Sequence, residues 1–263
     1  MQNRRAFVLG SLAVTALPAA ALAQGADLDA RFSALLARYV AVHAGGVNRV
    51  DYARWRAAEA DMAELDAVIA AYARLAPSRM ARDAAFAYWA NLYNAITLQV
   101  VLARYPVASI RDIRSEGVLD PRALAGPWRT KRVTVERRRL SLDDIEHRIL
   151  RPQMRDPRVH YAVNCASIGC PNLQARAWTA ATLSDDLDAA ARAYINHARG
   201  ARIDSAGALR VSSIYVWFKA DFGGDDAGVI AHLRRYAAPA LAQRLSAVTR
   251  IGGHDYDWAI NAP

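Results

Sequence analysis

Two cysteines, Cys165 and Cys170, stand five residues apart in Asn164-Cys165-Ala166-Ser167-Ile168-Gly169-Cys170-Pro171, and the chain has no others. A thiol is nucleophilic as its thiolate, so a catalytic cysteine needs a depressed pKa and a nearby base, usually histidine, held by a third polar group. Six histidines are available, none adjacent to another. His160 precedes Cys165 by five positions; on a strand that offset puts the two side chains on opposite faces, which argues against a direct pair. His147 follows Asp143 and Asp144 on a helical stretch, where it can simply pair with those carboxylates. Asn164 beside the thiol, Asn91 and Asn94 side by side on a helix, and Asp221 are candidates for orienting a base or stabilising an oxyanion. The two helix asparagines can equally serve by hydrogen-bonding a neighbouring loop.

Other chemistries fit the same two thiols. An even cysteine count at short separation in an oxidising compartment favours a Cys165–Cys170 disulfide, whose loop closure would contribute on the order of 2–3 kcal/mol. The C-x4-C spacing is not the C-x-x-C of a redox pair. Cys165, Cys170, His147 and His160 carry the right atoms for zinc, without a familiar zinc spacing.

These residues must be positioned by the elements around them. Val159, Tyr161 and Val163 alternate with His160 and Ala162, which predicts a short strand feeding the cysteine loop. Arg82 to Arg104 is apolar on nearly every face and predicts a central buried helix. Before it, helices are expected over 28–44, closed by Gly45-Gly46, and over 55–76. After it come a hairpin of 131–136 with 140–142, a helix capped by Ser141 through Leu150, and a helix over 182–199 capped by Ser184. A second hairpin (201–204 with 209–211), helices over 226–236 and 239–245, and a last strand over 247–251 complete the pattern. The fold class expected is α+β: a short antiparallel sheet with one central helix and several covering helices.

The 263-residue chain opens with Arg4-Arg5, an apolar run over 7–22 containing Pro18, and Ala21-Leu22-Ala23. This is the pattern of an export signal over 1–23, twin-arginine-like, leaving 24–263 as one globular domain with a helical part over 24–80. Removal of the signal lowers the formal charge from +9 to +7. The basic clusters Lys131-Arg132 and Arg137-Arg138-Arg139 lack interleaved aromatics, so nucleic acid is not an expected partner. A small-molecule, peptide or anionic substrate is expected instead, in a periplasmic or secreted protein with no stable membrane insertion after signal removal. No cofactor or metal is assigned.

Collinear motifs along most of the mature chain resemble the family called domain of unknown function 547. They are Val50-Asp51-Tyr52, the run from Tyr88 to Ala95, Tyr105-Pro106 with 109–113, the run from Leu140 to Arg151, His160 to Pro171, Trp217 to Phe222, and Tyr256-Asp257-Trp258. The resemblance implies Cys165 rather than Cys170 as nucleophile, because the family motif tolerates serine at the second position. It also implies His147, within Ile-Glu-His, as the first choice of base. Its Ile-Glu-His and Asn-Cys motifs suggest, by analogy, a papain-like or transglutaminase-like thiol enzyme. A non-catalytic binding or scaffold domain with a structural disulfide is the competing expectation.

Overall fold

The computed structural model describes residues 19–114 and 126–263. The expected export signal lies almost wholly outside them. In chain order the elements are α1 (Ala19–Tyr39), β1 (Val40–Ala41), β2 (Arg49–Val50), α2 (Tyr52–Ala57), α3 (Glu59–Ala73) and α4 (Arg82–Arg104). Next come β3 (Val133–Val135), β4 (Arg138–Leu140) and α5 (Leu142–Asp144), which runs into a π-helix over Ile145–Met154. The rest is α6 (Val159–Ala162), α7 (Leu183–Ile195), β5 (Ala201–Ile203), β6 (Leu209–Ser212), α8 (Ser213–Trp217), α9 (Asp226–Tyr236), α10 (Pro239–Leu245) and β7 (Ile251–Asp255). The class is α+β, as the alternation of helical and strand patterns implies.

α4 is the centre. Phe86, Ala90, Leu92, Ala95, Val101 and Leu102 are all buried, on every face of the helix, and so are the polar Asn91, Asn94 and Thr97. α3 lies against one side of it and the π-helix against another. A helix apolar all round can be stable in water only when enclosed in this way. α1 and α2 add a cover, with Trp55 fully buried and its ring stacked on Tyr39 at 4.6 Å.

Several expectations need correcting. The segment 159–163 is not a strand: Val159–Ala162 form a helical turn and only Val163 is extended. Two-residue alternation over so short a window does not separate a strand from one helical turn when every side chain is buried, as Val159, His160, Tyr161 and Ala162 are. The first helix stops at Tyr39 rather than Ala44, because Val40 pairs with Val50 across the Gly45-Gly46 turn. The helix expected over 55–76 is two helices broken at the non-helical Ala58, and α2 is capped by Asp51, whose carboxylate accepts the Arg54 N–H. α7 begins after Thr182 and ends at Ile195, short of Arg199. The last strand is displaced to 251–255. It pairs parallel with β6 while β5 pairs antiparallel, so the three-stranded sheet is mixed.

The helix after Ser141 begins as expected, with a capping box in which Ser141 and Asp144 satisfy each other's backbone N–H. Lys131 also pairs with Asp144, and these partners outweigh burial to hold its carboxyl down at about 2. Beyond Asp144 the helix widens to π geometry, a form that recurs at functional sites.

Candidate active site

The cysteine loop is held from three directions. From α4, the Asn94 amide donates to Ala162 O at 2.8 Å and accepts the Asn164 N–H at 2.8 Å, fixing the chain immediately before Cys165. Within the loop, Asn164 donates to Pro171 O at 2.7 Å and accepts the Ala166 N–H at 2.8 Å, so its side chain closes the ring that contains both sulfurs. Ala166 takes a left-handed φ of 59° at the turn. From the C-terminus, residues 256–261 form a strap: Ile168 N–H donates to Ala259 O and Gly169 N–H to Asp257 O, each at 2.8 Å, and Asn261 N–H donates to Ala166 O at 3.1 Å. A Cβ on Gly169 would meet Asp257 backbone atoms at 2.8 Å, so the strap's close approach requires glycine here.

This scaffold puts two free thiols face to face, Cys165 half-buried and Cys170 buried, with sulfurs 2.7 Å apart. The Cys165 N–H donates to Cys170 Sγ at 3.1 Å, and the Tyr256 hydroxyl lies 3.1 Å from Cys165 Sγ and 3.2 Å from Cys170 Sγ. Ser167 Oγ joins the cluster, 3.3 Å from Cys165 Sγ and 2.8 Å from the Tyr256 hydroxyl. Sulfurs so close can carry only one negative charge between them. The donors converge on Cys170: burial raises its pKa, but the Cys165 thiol, Tyr256 and the Cys165 N–H together bring it down to about 7. The Cys165 thiol, which donates to that sulfur and is itself desolvated, is pushed well up.

Both cysteines line a cavity of about 260 Å³. Trp217, Phe218, Tyr256 and Trp258 make one wall, and Asp143, Glu146, His147 and His160 contribute polar groups. Trp217 is 47% exposed yet stacked on Trp258 at 5.6 Å, which keeps a large apolar face at the cavity mouth. Tyr93 of α4 also lines it, and burial, with the Glu146 carboxylate beside its hydroxyl, pushes its phenol well up.

The two histidines of the cavity are held differently. His160 is buried, its ring stacked on Phe218 at 4.5 Å, and its Nε2 lies 2.7 Å from Asp221 Oδ2. Arg151 forks onto the same carboxylate, Nε to Oδ2 at 2.6 Å and Nη2 to Oδ1 at 3.2 Å. Burial raises the Asp221 pKa, but His160 and Arg151 more than reverse this and hold its carboxyl well below the usual range. An ionised Asp221 accepts a hydrogen bond from the Nε2–H of neutral His160, which leaves the lone pair on Nδ1. His147, on the π-helix, has Nδ1 only 3.2 Å from Arg151 Nη1. A guanidinium can only donate, so His147 keeps its proton on Nε2, which lies 3.8 Å from Asp143. No hydrogen bond joins either sulfur to a histidine among the described residues.

The structure thus brings Cys165, His147 and, through His160, Asp221 to one site. Asn91, Asn94 and Asn164 are near it but outside the cavity lining. Asn94 and Asn164 hold the loop. Asn91 donates to Trp178 O at 2.9 Å and Asp29 Oδ1 at 3.1 Å, and accepts the Trp178 N–H at 2.9 Å. These are the loop-clamping roles that buried amides can fill. The parity argument against His160 fails with the strand it assumed, since a helical turn turns His160 into the same cavity as Cys165. Sequence reasoning passed over Ser167, Tyr256 and Arg151. Ser167 lies inside the cysteine motif, Tyr256 in the closing aromatic motif, and Arg151 four residues after His147, so each carried a local signal. Among the described residues, no group of three or more His, Cys, Asp or Glu side chains is arranged to hold a metal ion. No helix among them is long and apolar enough to cross a membrane.

No curated protein and no solved structure matches this chain. Residues 77–195 match the model of the family described as "Protein of unknown function, DUF547". That segment holds α4, the π-helix, the cysteine loop and α7, while Asp221 and Tyr256 lie beyond it. Residues 77–195, the part that carries both cysteines and both cavity histidines, are thus similar to the DUF547 family.

Proposed function

We propose that this is an exported cysteine-dependent hydrolase or acyl-transfer enzyme acting on an amide, peptide or thioester bond. One observation carries the reading: a thiol pair and a carboxylate-held imidazole line the same cavity. The pair first gives up one proton, and Cys165, the more accessible sulfur, then attacks the carbonyl as its own S–H proton passes to Cys170. His160 takes that first proton at Nδ1, and Asp221 stabilises the imidazolium through Nε2. The proton then passes to the leaving amine or thiol as the acyl group settles on Cys165, and water or an acceptor nucleophile releases it. His160 is preferred to His147 as base because its ring is fixed by a carboxylate and an aromatic face. His147 instead accepts from Arg151 at Nδ1, so that lone pair is already engaged.

The test is labelling of the reduced mature protein by a thiol-directed probe with a carbonyl warhead, followed by peptide mapping. Label on Cys165 is expected, with Cys165→Ala folded and unlabelled. Undiminished labelling of Cys165→Ala would sink the assignment. A second reading is favoured by the adjacency of the sulfurs: a non-catalytic exported domain in which Cys165 and Cys170 are bridged. Intact mass of the native protein separates the two, since the bridge removes two hydrogens quantitatively.

A further inference from the structure

We propose that Arg199 is a positioning residue for the cysteine pair, the fixed positive charge that brackets Cys170 and stabilises the anion formed when the pair loses a proton. The idea rests on the thiol chemistry read above, but on its ionisation and not on any turnover. Arg199 follows α7 and reaches under the cysteine loop. Its Nη1 donates to Ile168 O at 3.0 Å, two residues before Cys170, and its Nη2 to Asn172 Oδ1 at 2.6 Å, two residues after. A longer bond runs from Nη2 to Gly46 O at 3.2 Å. The guanidinium lies over the Tyr194 ring at 5.3 Å, and the Tyr194 hydroxyl donates to Gly169 O at 2.6 Å. Each backbone carbonyl of the Ile168-Gly169 step is therefore held by Arg199 directly or by the ring beneath it.

Every hydrogen-bond acceptor of Arg199 is neutral, and no carboxylate pairs with it among the described residues. Its Nε is buried without a partner. Burial disfavours its charged form, and Arg49 adds a second cation nearby. A buried cation in this state is stabilised by any anion that forms close by, and the anions within its electrostatic reach are those that Tyr194, Cys170 and Tyr256 would yield. Burial pushes the phenols of Tyr194 and Tyr256 well up, so of the three only Cys170 ionises near neutral pH. Other groups face the pair from the remaining elements. Tyr52 of α2 and Tyr93 of α4 are buried neutral phenols. Across the cavity stand Asp143 and Glu146, which oppose a thiolate, and Arg129, His147 and His160. Against those carboxylates, a buried cation bonded to the loop on both sides of Cys170 favours the anion.

The measurement is ultraviolet thiolate absorbance of the reduced mature protein against pH, for the parent, Arg199→Met and Arg199→Lys. Arg199→Met, which keeps the bulk and loses the charge, is expected to raise the first thiol midpoint by about one unit, roughly a tenfold loss of thiolate at pH values below both midpoints. Arg199→Lys is expected to stay within about a third of a unit of the parent, since the charge remains. A folded Arg199→Met with an unchanged midpoint overturns the proposal. Should that variant not fold, Arg199→Lys still decides, because a rise of a full unit with the charge retained overturns it equally. A normal midpoint shift with no acyl-directed labelling of Cys165 would refute the enzyme reading and leave Arg199's role intact.

Discussion

Asp221→Asn is the substitution that most directly probes how the candidate base is held. The change preserves shape but removes the charge that Arg151 and His160 share, and it places an amide N–H₂ where one of the two carboxylate oxygens accepted. Three contacts are altered, at 2.6, 2.7 and 3.2 Å. Removing one partner of a fully buried charge network costs about 3–5 kcal/mol. Here the Asp221 and Arg151 side chains keep 24% and 23% exposure while His160 keeps 2%, so water screens part of the loss. A destabilisation of about 2–3 kcal/mol at pH 7 follows. The assay is urea unfolding of parent and variant across pH. Because the folded Asp221 pKa is depressed, its contribution is fully present above the ordinary carboxylate pKa of about 4 and is lost as pH falls through the lower folded value. The gap between the two proteins should therefore be constant from about pH 7 to 5 and shrink below about pH 4. Acyl-directed labelling of Cys165 should fall in parallel. A gap under about 0.5 kcal/mol at pH 7, or one that widens on acidification, would refute the reasoning.

Two further substitutions test the scaffold of the loop. Asn94→Ala leaves the buried Asn164 N–H without its acceptor, whereas Ala162 O keeps the Trp178 indole N–H at 3.1 Å. One orphaned donor plus a small void predicts a loss of about 2–4 kcal/mol in urea unfolding, and a value near zero would show that water or a loop shift replaces the amide. Gly169→Ala drives a methyl into Asp257 backbone atoms at 2.8 Å and Tyr256 Cδ1 at 3.0 Å. Overpacking of this kind should cost about 1–3 kcal/mol and speed limited proteolysis of the C-terminal strap. Unchanged protease resistance would mean that the strap does not depend on that contact.

What could be read from the sequence was what is written locally. The buried status of Arg82–Arg104 is stated by apolar residues on all its faces, and the Ser141 cap by the serine and Asp144 three residues on. The second hairpin carries its own turn signal in 205–208, whereas the first turns on Glu136 and Arg137, both at positive φ, with none. The site is written non-locally. Asp221 meets His160 across 61 residues and Arg151 across 70, and Tyr256 meets Cys165 across 91. No spacing rule spans such separations, so Asp221 entered as a candidate without a partner. The mistaken strand at 159–163 had a different origin. Its alternation was real, but burial on both faces removes the contrast on which period-based reading depends.

The remaining tension is between the thiol pair as a structural bridge and as reacting groups, and the hydrogen-bond network bears on it. A bridge across five residues would add about 2–3 kcal/mol by restricting the unfolded chain. The loop is already closed without either sulfur. Asn164 bonds Pro171 O and the Ala166 N–H, Asn94 bonds the segment at its start, three strap bonds cross it, and Arg199 with Tyr194 grips Ile168 and Gly169 from beneath. Each such bond contributes about 1 kcal/mol net, so together they exceed what the cross-link would add. A loop that needed the bridge for its shape would have no call for so many sulfur-independent ties. Nor would a purely structural bridge require its sulfurs to line a cavity beside an imidazole fixed by a carboxylate, with a hydroxyl within 3.3 Å of each. The arrangement is the one expected when the backbone must stay in place while the thiols change state.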